Sequence, residues 1–333
     1  MAYDVPNEYC FLSMTRSGKP TPERPLAVLV TGTSTGIGRG IALTLAQQGY
    51  TVIAGVRQTA HGAALVHDFK KNDASMSQGT VVRSGGQICP VILDLASEAT
   101  IAEGWERVNA QLQALDAPLV GLVNNAGNAT LRVAEWLSVS DWQTALWTNF
   151  LGAVELTRLA LPQLRASHGR LVNIGSIAAW MTPPCYASYS ASKAAVGAWS
   201  RALRSELLPF GVAVAVVEPG VIVTPGPARS LKEMMDHHHQ RQQEIQENAT
   251  PGDPHAVYSY TTESVRAMFD FGADGGVSVG HVVDMVEHAL QSPTPRSKYY
   301  VGLDARFLAA SFTILGEPVL DWLALQFLKV LSL

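Results

Sequence analysis

A tyrosine and a lysine four residues apart, with a serine upstream, form the most reactive combination in this sequence of 333 residues. Tyr189 and Lys193 lie in a run with helical character. Because residues four apart share one face of a helix, we expect the phenol and the ammonium side by side. A free phenol has a pKa of about 10, and a nearby positive charge lowers it. The pair therefore predicts a phenol that exchanges a proton near neutral pH.

Ser176 follows an apolar run, residues 170–175, that is typical of a buried parallel strand. Open α/β sheets bind ligands at the C-terminal ends of such strands, so we expect its hydroxyl to hydrogen-bond a substrate oxygen. Taken alone, however, a tyrosine and a lysine one helical turn apart are more often a solvated pair than a catalytic one. The catalytic interpretation therefore requires independent motifs elsewhere in the chain.

The composition describes a soluble globular protein, 47% hydrophobic and 16% charged, with a net charge of -4 and no long basic run. Nucleic-acid binding is not expected for such a chain. Its three cysteines are widely spaced, which favours a reduced, cytoplasmic location. Residues 1–25 lack a continuous apolar core and end in a Pro-rich stretch. We expect them to form an N-terminal extension, with no signal peptide or membrane anchor at this end.

The first element after this extension is a short apolar strand that leads into a Gly-rich turn, Gly32-Thr-Ser-Thr-Gly-Ile-Gly38, and then a helix from about Arg39 to Gln48. Glycines allow a tight turn and a close approach to a pyrophosphate, while the helix N-terminus offers unpaired N–H groups. Such loops also occur simply to turn a chain. The position directly after the first strand favours dinucleotide binding.

Three motifs now occur in an order and spacing that resemble the short-chain dehydrogenase/reductase family. They are Thr31-Gly-x-x-x-Gly-x-Gly38, Asn124-Asn-Ala-Gly127, and Tyr189-x-x-x-Lys193 downstream of Ser176. The resemblance covers about residues 26 to 225. It implies an α/β domain over residues 26–304 with a doubly wound Rossmann fold of about seven parallel strands. A substrate lid is expected at about residues 225–276, followed by an apolar C-terminal extension, residues 305–333.

The resemblance implies catalysis by four residues. Tyr189 would act as general acid in reduction and general base in oxidation, while Ser176 would bind the substrate oxygen. Lys193 would lower the pKa of the tyrosine and hold the nicotinamide ribose. Asn149 lies within a predicted helix over residues 141–164, where asparagine is unfavourable, and would anchor a water that joins the lysine to solvent. The alternative for Asn149 is an ordinary exposed helix residue.

The resemblance also implies a nicotinamide cofactor that contacts residues at several strand ends. The expected contacts are Gly32, Ser34, Gly36, Ile37, Gly38, Arg57, Asp94, Leu95, Asn125, Ala126, Gly127, Tyr189, Lys193, Pro219, Gly220, Ile222 and Thr224. Asn124 is expected to be mainly structural. Asp94 contacts the adenine in this interpretation, and alternatively or additionally it caps the helix that begins near Ser97.

The end of the second strand bears on the choice of cofactor. Family members that use NAD usually have an acidic residue there, but this chain has Val56 followed by Arg57. A guanidinium suits a 2′-phosphate, so the sequence favours NADP(H), with NAD(H) as the alternative. The other interpretation of Arg57 is a plain surface arginine.

The residues between Ser176 and Tyr189 include Trp180 and Met181, which we expect to line an apolar pocket for the substrate. Together with a long lid, they indicate a bulky substrate such as a steroid, a retinoid or another lipid-like alcohol. The alternative is that these side chains only pack the loop. Within the lid, residues 228–247 are predicted to be helical and the remainder irregular. The three histidines 237–239 are interpreted as a solvated face and not as a metal site.

Two further segments carry predictions. Residues 72–86 are polar and Gly-rich, which predicts a surface insertion. Residues 307–333 are apolar but too interrupted for a spanning helix, so we expect them to cover the site, pack in a homodimer or homotetramer, or rest on a membrane surface. Together with residues 299–306 they look like the C-terminal part of the retinol and hydroxysteroid dehydrogenase branch.

The competing hypothesis for the function of the whole chain is a non-catalytic, dinucleotide-sensing regulator on the same fold.

Overall fold

The computed structural model describes residues 24–76, 86–248 and 258–316, together with residues 318, 319, 322 and 326. Within these residues, seven parallel strands form one sheet in the order β3-β2-β1-β4-β5-β6-β7. The strands are β1 (Ala27–Val30), β2 (Thr51–Val56), β3 (Gln87–Ile92), β4 (Leu119–Asn124), β5 (Arg170–Ile174), β6 (Ala213–Pro219) and β7 (Lys298–Val301). The doubly wound Rossmann fold with seven parallel strands is therefore confirmed.

Helices cover both faces of the sheet. They are α1 (Gly36–Gln47), α2 (Thr59–Met76), α3 (Glu98–Ala114), α4 (Val139–Leu146), α5 (Gly152–Ala166), α6 (Ala187–Leu207), α7 (Pro225–Asn248), α8 (Tyr258–Gly275), α9 (Val279–Gln291) and α10 (Leu303–Leu315). Side chains of α1, α2 and α9 share one apolar core with the sheet, and those of α3, α5 and α6 share the other.

Burial explains why the central strands read as continuous apolar runs. Every residue of β1, β2 and β4 is buried, because helices cover both faces. The strand order reverses between β1 and β4, and ligands bind outside the carboxyl ends of the strands at such a reversal. The Gly-rich turn follows β1 and the Asn124–Gly127 segment follows β4, so both lie at this point.

In the segment predicted to be a lid, residues 225–276, the described residues include α7 and α8, so the expectation of irregular structure is wrong for α8. The two ends of the lid are tied together in a short parallel bridge. The Val223 N–H donates to the Val277 carbonyl at 3.1 Å, and the Val277 N–H donates to the Val221 carbonyl at 2.9 Å. The segment that contains α7 and α8 therefore begins and ends at one place.

Two other expectations are corrected. Helix α2 continues through Met76, five residues into the predicted insertion at 72–86, while residues 77–85 lie outside the described part of the chain. The single helix predicted over residues 141–164 consists of α4, a π-helical turn from Trp147 to Leu151, and α5. Over the described ranges, no helix combines the length and the apolarity needed to cross a bilayer.

Candidate active site

Tyr189 and Lys193 lie in the first two turns of α6 and face the C-terminal end of β5. The Lys193 side chain is buried, and its Nζ donates a hydrogen bond to the Ile174 carbonyl at 2.8 Å. The same Nζ lies 5.8 Å from the centroid of the Tyr189 ring. Burial lowers the pKa of Lys193 to about 8, because the charged ammonium has lost its water.

Ser176 follows β5 and begins a single 3-10 turn, Ile177–Ala179. Its Oγ accepts a hydrogen bond from the Ala178 N–H at 3.1 Å. Burial raises the pKa of the Tyr189 phenol, and a hydrogen bond with Ser176 opposes that effect. The ammonium of Lys193 bonds a backbone carbonyl in this structure, and the lowering of the Tyr189 pKa by Lys193 stays a prediction.

Asn149 sits in the π-helical turn, which brings its amide back onto the neighbouring loop. Its Oδ1 accepts from the Asn128 N–H at 2.8 Å, and its Nδ2 donates to the Asn128 carbonyl at 2.8 Å and to Ser192 Oγ at 3.0 Å. The side chain is 3% exposed, so the alternative of an exposed helix residue is wrong. Short π-helical segments are frequent at functional sites.

Gly127 shows how closely these groups converge. A Cβ atom on Gly127 would lie 2.9 Å from Asn149 Oδ1 and 3.7 Å from Lys193 Nζ. The segment after β4, the π-helical turn and α6 therefore meet at one point. Asn128 and Ser192, which hold Asn149 there, were not predicted as site residues. The run of small polar residues on α6 was the one available signal for Ser192.

Two glycines of the Gly-rich turn lie too close to neighbouring atoms to admit a side chain. Gly32 has φ +68°, and a Cβ atom on it would lie 2.9 Å from Ala126 Cα. A Cβ atom on Gly38 would lie 2.3 Å from the Gly32 carbonyl oxygen. The N-cap residue of α1, Thr35, makes no side-chain hydrogen bond to the first turn. These residues fit a bound pyrophosphate, since a turn of glycines without side chains leads directly to the N–H groups at the start of a helix.

Thr31 ties the two turns of this cradle together and was missed as a site residue. Its Oγ1 accepts from the N–H groups of Asn125 and Ala126 at 3.0 and 2.9 Å. The Asn125 amide in turn donates to the carbonyls of Thr31 and Gly32 at 2.9 and 3.2 Å. The Asn125 side chain therefore holds the loop in shape. The sequence signal that could have identified Thr31 was a hydroxyl at the end of an apolar strand, directly before the first glycine.

Asn124 belongs to a buried network behind the site, in agreement with its predicted structural role. Its Nδ2 donates to Thr157 Oγ1 at 2.9 Å and to Asn173 Oδ1 at 2.8 Å. Asn173 Nδ2 donates to Ser200 Oγ at 2.8 Å. The network joins β4, β5, α5 and α6; α6 carries Tyr189 and Lys193, and β5 leads to Ser176.

The remaining predicted cofactor residues in the first half of the chain surround the same strand ends. Ser34 and Ile37 are partly buried in the Gly-rich turn, and Arg57 is exposed directly after β2. Asp94 Oδ1 accepts from the Ala96 N–H at 3.2 Å, whereas Ser97 caps α3, so the capping alternative for Asp94 is wrong. Leu95 is buried in the core.

The turn after β6 lies opposite the Gly-rich turn. A Cβ atom on Gly36 would lie 3.4 Å from the Thr224 methyl group. Pro219 and Ile222 are buried, Gly220 is partly buried, and Ile222 pairs with Val277 in the bridge below the lid. The Pro219–Thr224 turn therefore lies beside the Gly-rich turn, and its contact with the nicotinamide stays a prediction.

Trp180 packs against residues of β7 and α10. Its ring meets Phe312 of α10 edge on, with centroids 5.1 Å apart, and lies 6.1 Å from the Tyr300 ring. Lys298 Nζ lies 3.8 Å from the Trp180 ring centroid. Met181 is partly buried beside it. The contact of Trp180 and Met181 with substrate stays a prediction.

The histidine run in α7 is only partly a solvated face. His238 is 3% exposed, and its ring stacks on Trp136 with centroids 5.9 Å apart and an angle of 22° between the planes. His239 is exposed, as expected. In the described parts of the chain, no group of three or more His, Cys, Asp or Glu side chains is arranged to hold a metal ion.

Comparison with known proteins gives a consistent match. The family model for short chain dehydrogenase matches residues 26–234, more than half of the chain. The chain is 32% identical over 305 residues to 3beta-hydroxysteroid dehydrogenase dhs-16 of Caenorhabditis elegans, covering 89% of this chain and 73% of that protein. It is 31% identical over 304 residues to retinol dehydrogenase 7 of Mus musculus, covering 89% and 87%. A short-chain dehydrogenase from Streptomyces avermitilis has the same fold, with a TM-score of 0.66 at 24% identity over 92% of this chain and 98% of the other.

Proposed function

The chain belongs to the short-chain dehydrogenase family, and we propose that it is an oxidoreductase that interconverts a carbonyl compound and an alcohol with NADP(H) in preference to NAD(H). The observation that carries the proposal is the convergence of Ser176, Tyr189, Lys193 and Asn149 beside a glycine cradle at the strand-order reversal. A protein that only sensed the dinucleotide would not need this set of proton-transfer groups.

The roles of the four residues follow from their surroundings. Tyr189 donates its proton to the carbonyl oxygen in reduction and accepts the proton of the alcohol in oxidation. Ser176, which is hydrogen-bonded to Tyr189, donates to the same oxygen as negative charge develops there. Asn149 fixes the loop and α6 around the lysine through Asn128 and Ser192, and supports the proton path.

The cofactor, when bound, supplies or accepts the hydride. The pyrophosphate would be held by Gly32, Ser34, Gly36, Ile37 and Gly38. The adenosine half and the central part of the cofactor would contact Asp94, Leu95, Asn125, Ala126 and Gly127. The nicotinamide half would contact Tyr189, Lys193, Pro219, Gly220, Ile222 and Thr224. The preference for the phosphorylated form rests on Arg57, whose exposed guanidinium follows β2 with no acidic residue beside it.

For the substrate, we propose a bulky apolar alcohol or ketone of the steroid or retinoid type, bound between Ser176, Tyr189, Trp180 and Met181 under α7 and α8. The relatives dhs-16 and retinol dehydrogenase 7 are named for a hydroxysteroid and for retinol. An apolar cluster supports the proposal: Cys185 and Tyr186, which precede Tyr189, pack against Met234 and Phe269 of the lid. An apolar substrate would contact this surface.

We further propose a homodimer or homotetramer in the cytoplasm, with peripheral membrane contact through the C-terminal extension. Leu303, Phe307 and Ile314 of α10 are 82%, 70% and 78% exposed. An exposed apolar helix face of this kind fits an interface or a lipid surface. Flotation with neutral liposomes, beside a variant in which these three residues are serine, tests the membrane contact.

Titration with NADPH and with NADH, followed by quenching of tryptophan fluorescence, tests the cofactor proposal. Oxidation of NADPH in the presence of a steroid ketone, retinal and a small polar ketone then tests the reaction and the substrate class. We expect tighter binding of NADPH and turnover with the bulky ketones. Binding without turnover of any ketone would favour the regulator, and binding of neither dinucleotide would reject both functions.

A further inference from the structure

Helix α10 contacts two turns of the active site that are far apart in sequence. At its N-terminal end, Asp304 Oδ2 accepts a hydrogen bond from the Val221 N–H at 2.8 Å. Val221 lies between Gly220 and Ile222, in the turn proposed to hold the nicotinamide half of the cofactor. The preceding residue is fixed as well, since the Gly220 N–H donates to the Val301 carbonyl at 2.9 Å. The start of α10 therefore braces the turn after β6.

Farther along the same helix, Phe312 braces the turn that carries Ser176. Its ring meets the edge of Trp180 at 5.1 Å between centroids and 89° between planes. Trp180 ends the 3-10 turn that Ser176 begins: the Ala179 N–H donates to the Ser176 carbonyl at 3.1 Å and the Trp180 N–H to the Ile177 carbonyl at 2.9 Å. A 3-10 turn this short has weak bonds of its own, so its position depends on what holds its end.

A largely buried ion pair also contacts Trp180. Lys298 Nζ lies 3.8 Å from the Trp180 ring centroid and 3.1 Å from Glu218 Oε1. Glu218 is 1% exposed, and the Lys298 side chain is 21% exposed. A cation that has lost most of its water attracts an aromatic ring more strongly than an exposed one. Trp180 is thus held by β6 and β7 and by α10 at once.

We propose that α10 is a positioning element of the active site, in which Phe312 holds the Ser176 turn through Trp180 and Asp304 holds the turn after β6. The proposal rests on the proposed oxidoreductase function. Phe312 and Asp304 touch neither substrate nor cofactor in this account. They act by keeping the Ser176 hydroxyl and the nicotinamide turn at a fixed separation, and small displacements of such groups cost large factors in rate.

The test compares Phe312→Ala with Phe307→Ala in the full chain. Both variants remove a phenylalanine ring from α10, but Phe307 is 70% exposed and lies outside the Trp180 contact. Two quantities are measured: amide hydrogen exchange over residues 176–184, and kcat with the dissociation constant for NADPH. If Phe312→Ala does not fold, Phe312→Leu replaces it, because leucine keeps apolar bulk and removes the edge-on ring contact.

We expect Phe312→Ala to speed exchange over residues 176–184 about tenfold and to lower kcat about tenfold, with NADPH affinity within about twofold of the parent chain. Phe307→Ala should change none of these. Equal exchange in the two variants would overturn the proposal, as would faster exchange with an unchanged kcat. If the parent chain binds NADPH but reduces no ketone, the oxidoreductase proposal fails. In that case the exchange comparison still decides whether α10 holds the turn.

Discussion

Tyr189 and Lys193 are one helical turn apart on α6, yet the lysine Nζ bonds the Ile174 carbonyl at 2.8 Å and lies 5.8 Å from the centre of the tyrosine ring. The phenol bonds Ser176 instead. The lysine thus fixes the end of β5 beside α6, and the serine hydroxyl is the hydrogen-bond partner of the phenol. Both the tyrosine and the lysine are desolvated, so their pKa values move in the directions that disfavour charge.

The lowered pKa of Lys193 makes stability depend on pH. Between about 8 and the ordinary value of 10.5, the unfolded chain holds a proton that the native chain has released. Stability therefore rises with pH across this window. We expect the unfolding free energy of the parent chain, relative to Lys193→Met, to rise by on the order of 3 kcal/mol between pH 7 and pH 10. Denaturant unfolding at both pH values measures it.

Lys232 provides the control for this measurement, because it lies exposed on α7. The difference in unfolding free energy between the parent chain and Lys232→Met should be the same at pH 7 and pH 10. If the difference in unfolding free energy between the parent chain and Lys193→Met were the same at both pH values, the Lys193 ammonium would be hydrated in solution.

Arg57 should set the choice of dinucleotide. Arg57→Ala removes the guanidinium after β2, so we expect NADPH affinity to fall about tenfold or more and NADH affinity to change little. Arg57→Lys keeps the charge but loses the bidentate geometry. Its NADPH affinity should therefore lie between those of the parent chain and Arg57→Ala. Fluorescence titrations with both dinucleotides measure the effect. Equal weakening of NADPH and NADH would make Arg57 a bystander.

Asn124 and Asn149 are both buried asparagines, but they should have different consequences when replaced by alanine. Asn124 only joins elements of the scaffold through Thr157 and Asn173. Its replacement should lower the unfolding free energy by about 1 to 3 kcal/mol and leave kcat nearly unchanged. Asn149→Ala loosens the loop around the lysine, so we expect kcat to fall about tenfold or more. Thermal unfolding and steady-state kinetics on both variants make the comparison, and loss of kcat in both would contradict it.

Local motifs were sufficient for the parts of the fold that depend on neighbouring residues. The Gly-rich turn after an apolar run predicted the cradle between β1 and α1, because glycine and a helix start have consequences within a few residues. The strand ends at Arg57, Asn124 and Ser176 were predicted in the same way. Each is marked by a change from apolar to polar or small residues.

Contacts between distant segments could not be predicted from the sequence. Thr31 and Ser192 are ordinary hydroxyl residues until the fold brings Asn125 and Asn149 to them. Helix α8 was expected to be irregular, since its stability comes from packing: Val265 is fully buried against the lid core. The pKa of Tyr189 likewise depends on burial and on the hydrogen bond with Ser176.

The most direct measurement is a single turnover with Tyr189→Phe. Purified chain is loaded with NADPH, mixed with a steroid ketone or retinal, and followed by the loss of reduced-nicotinamide absorbance. Tyr186→Phe is the matched control, because its ring lies 6.0 Å from that of Tyr189 and is also desolvated. We expect Tyr189→Phe to bind NADPH normally and to lose at least about a hundredfold in rate, while Tyr186→Phe stays within a few fold. A Tyr189→Phe chain that oxidises NADPH at the parent rate would contradict the assignment of this tyrosine as the proton donor.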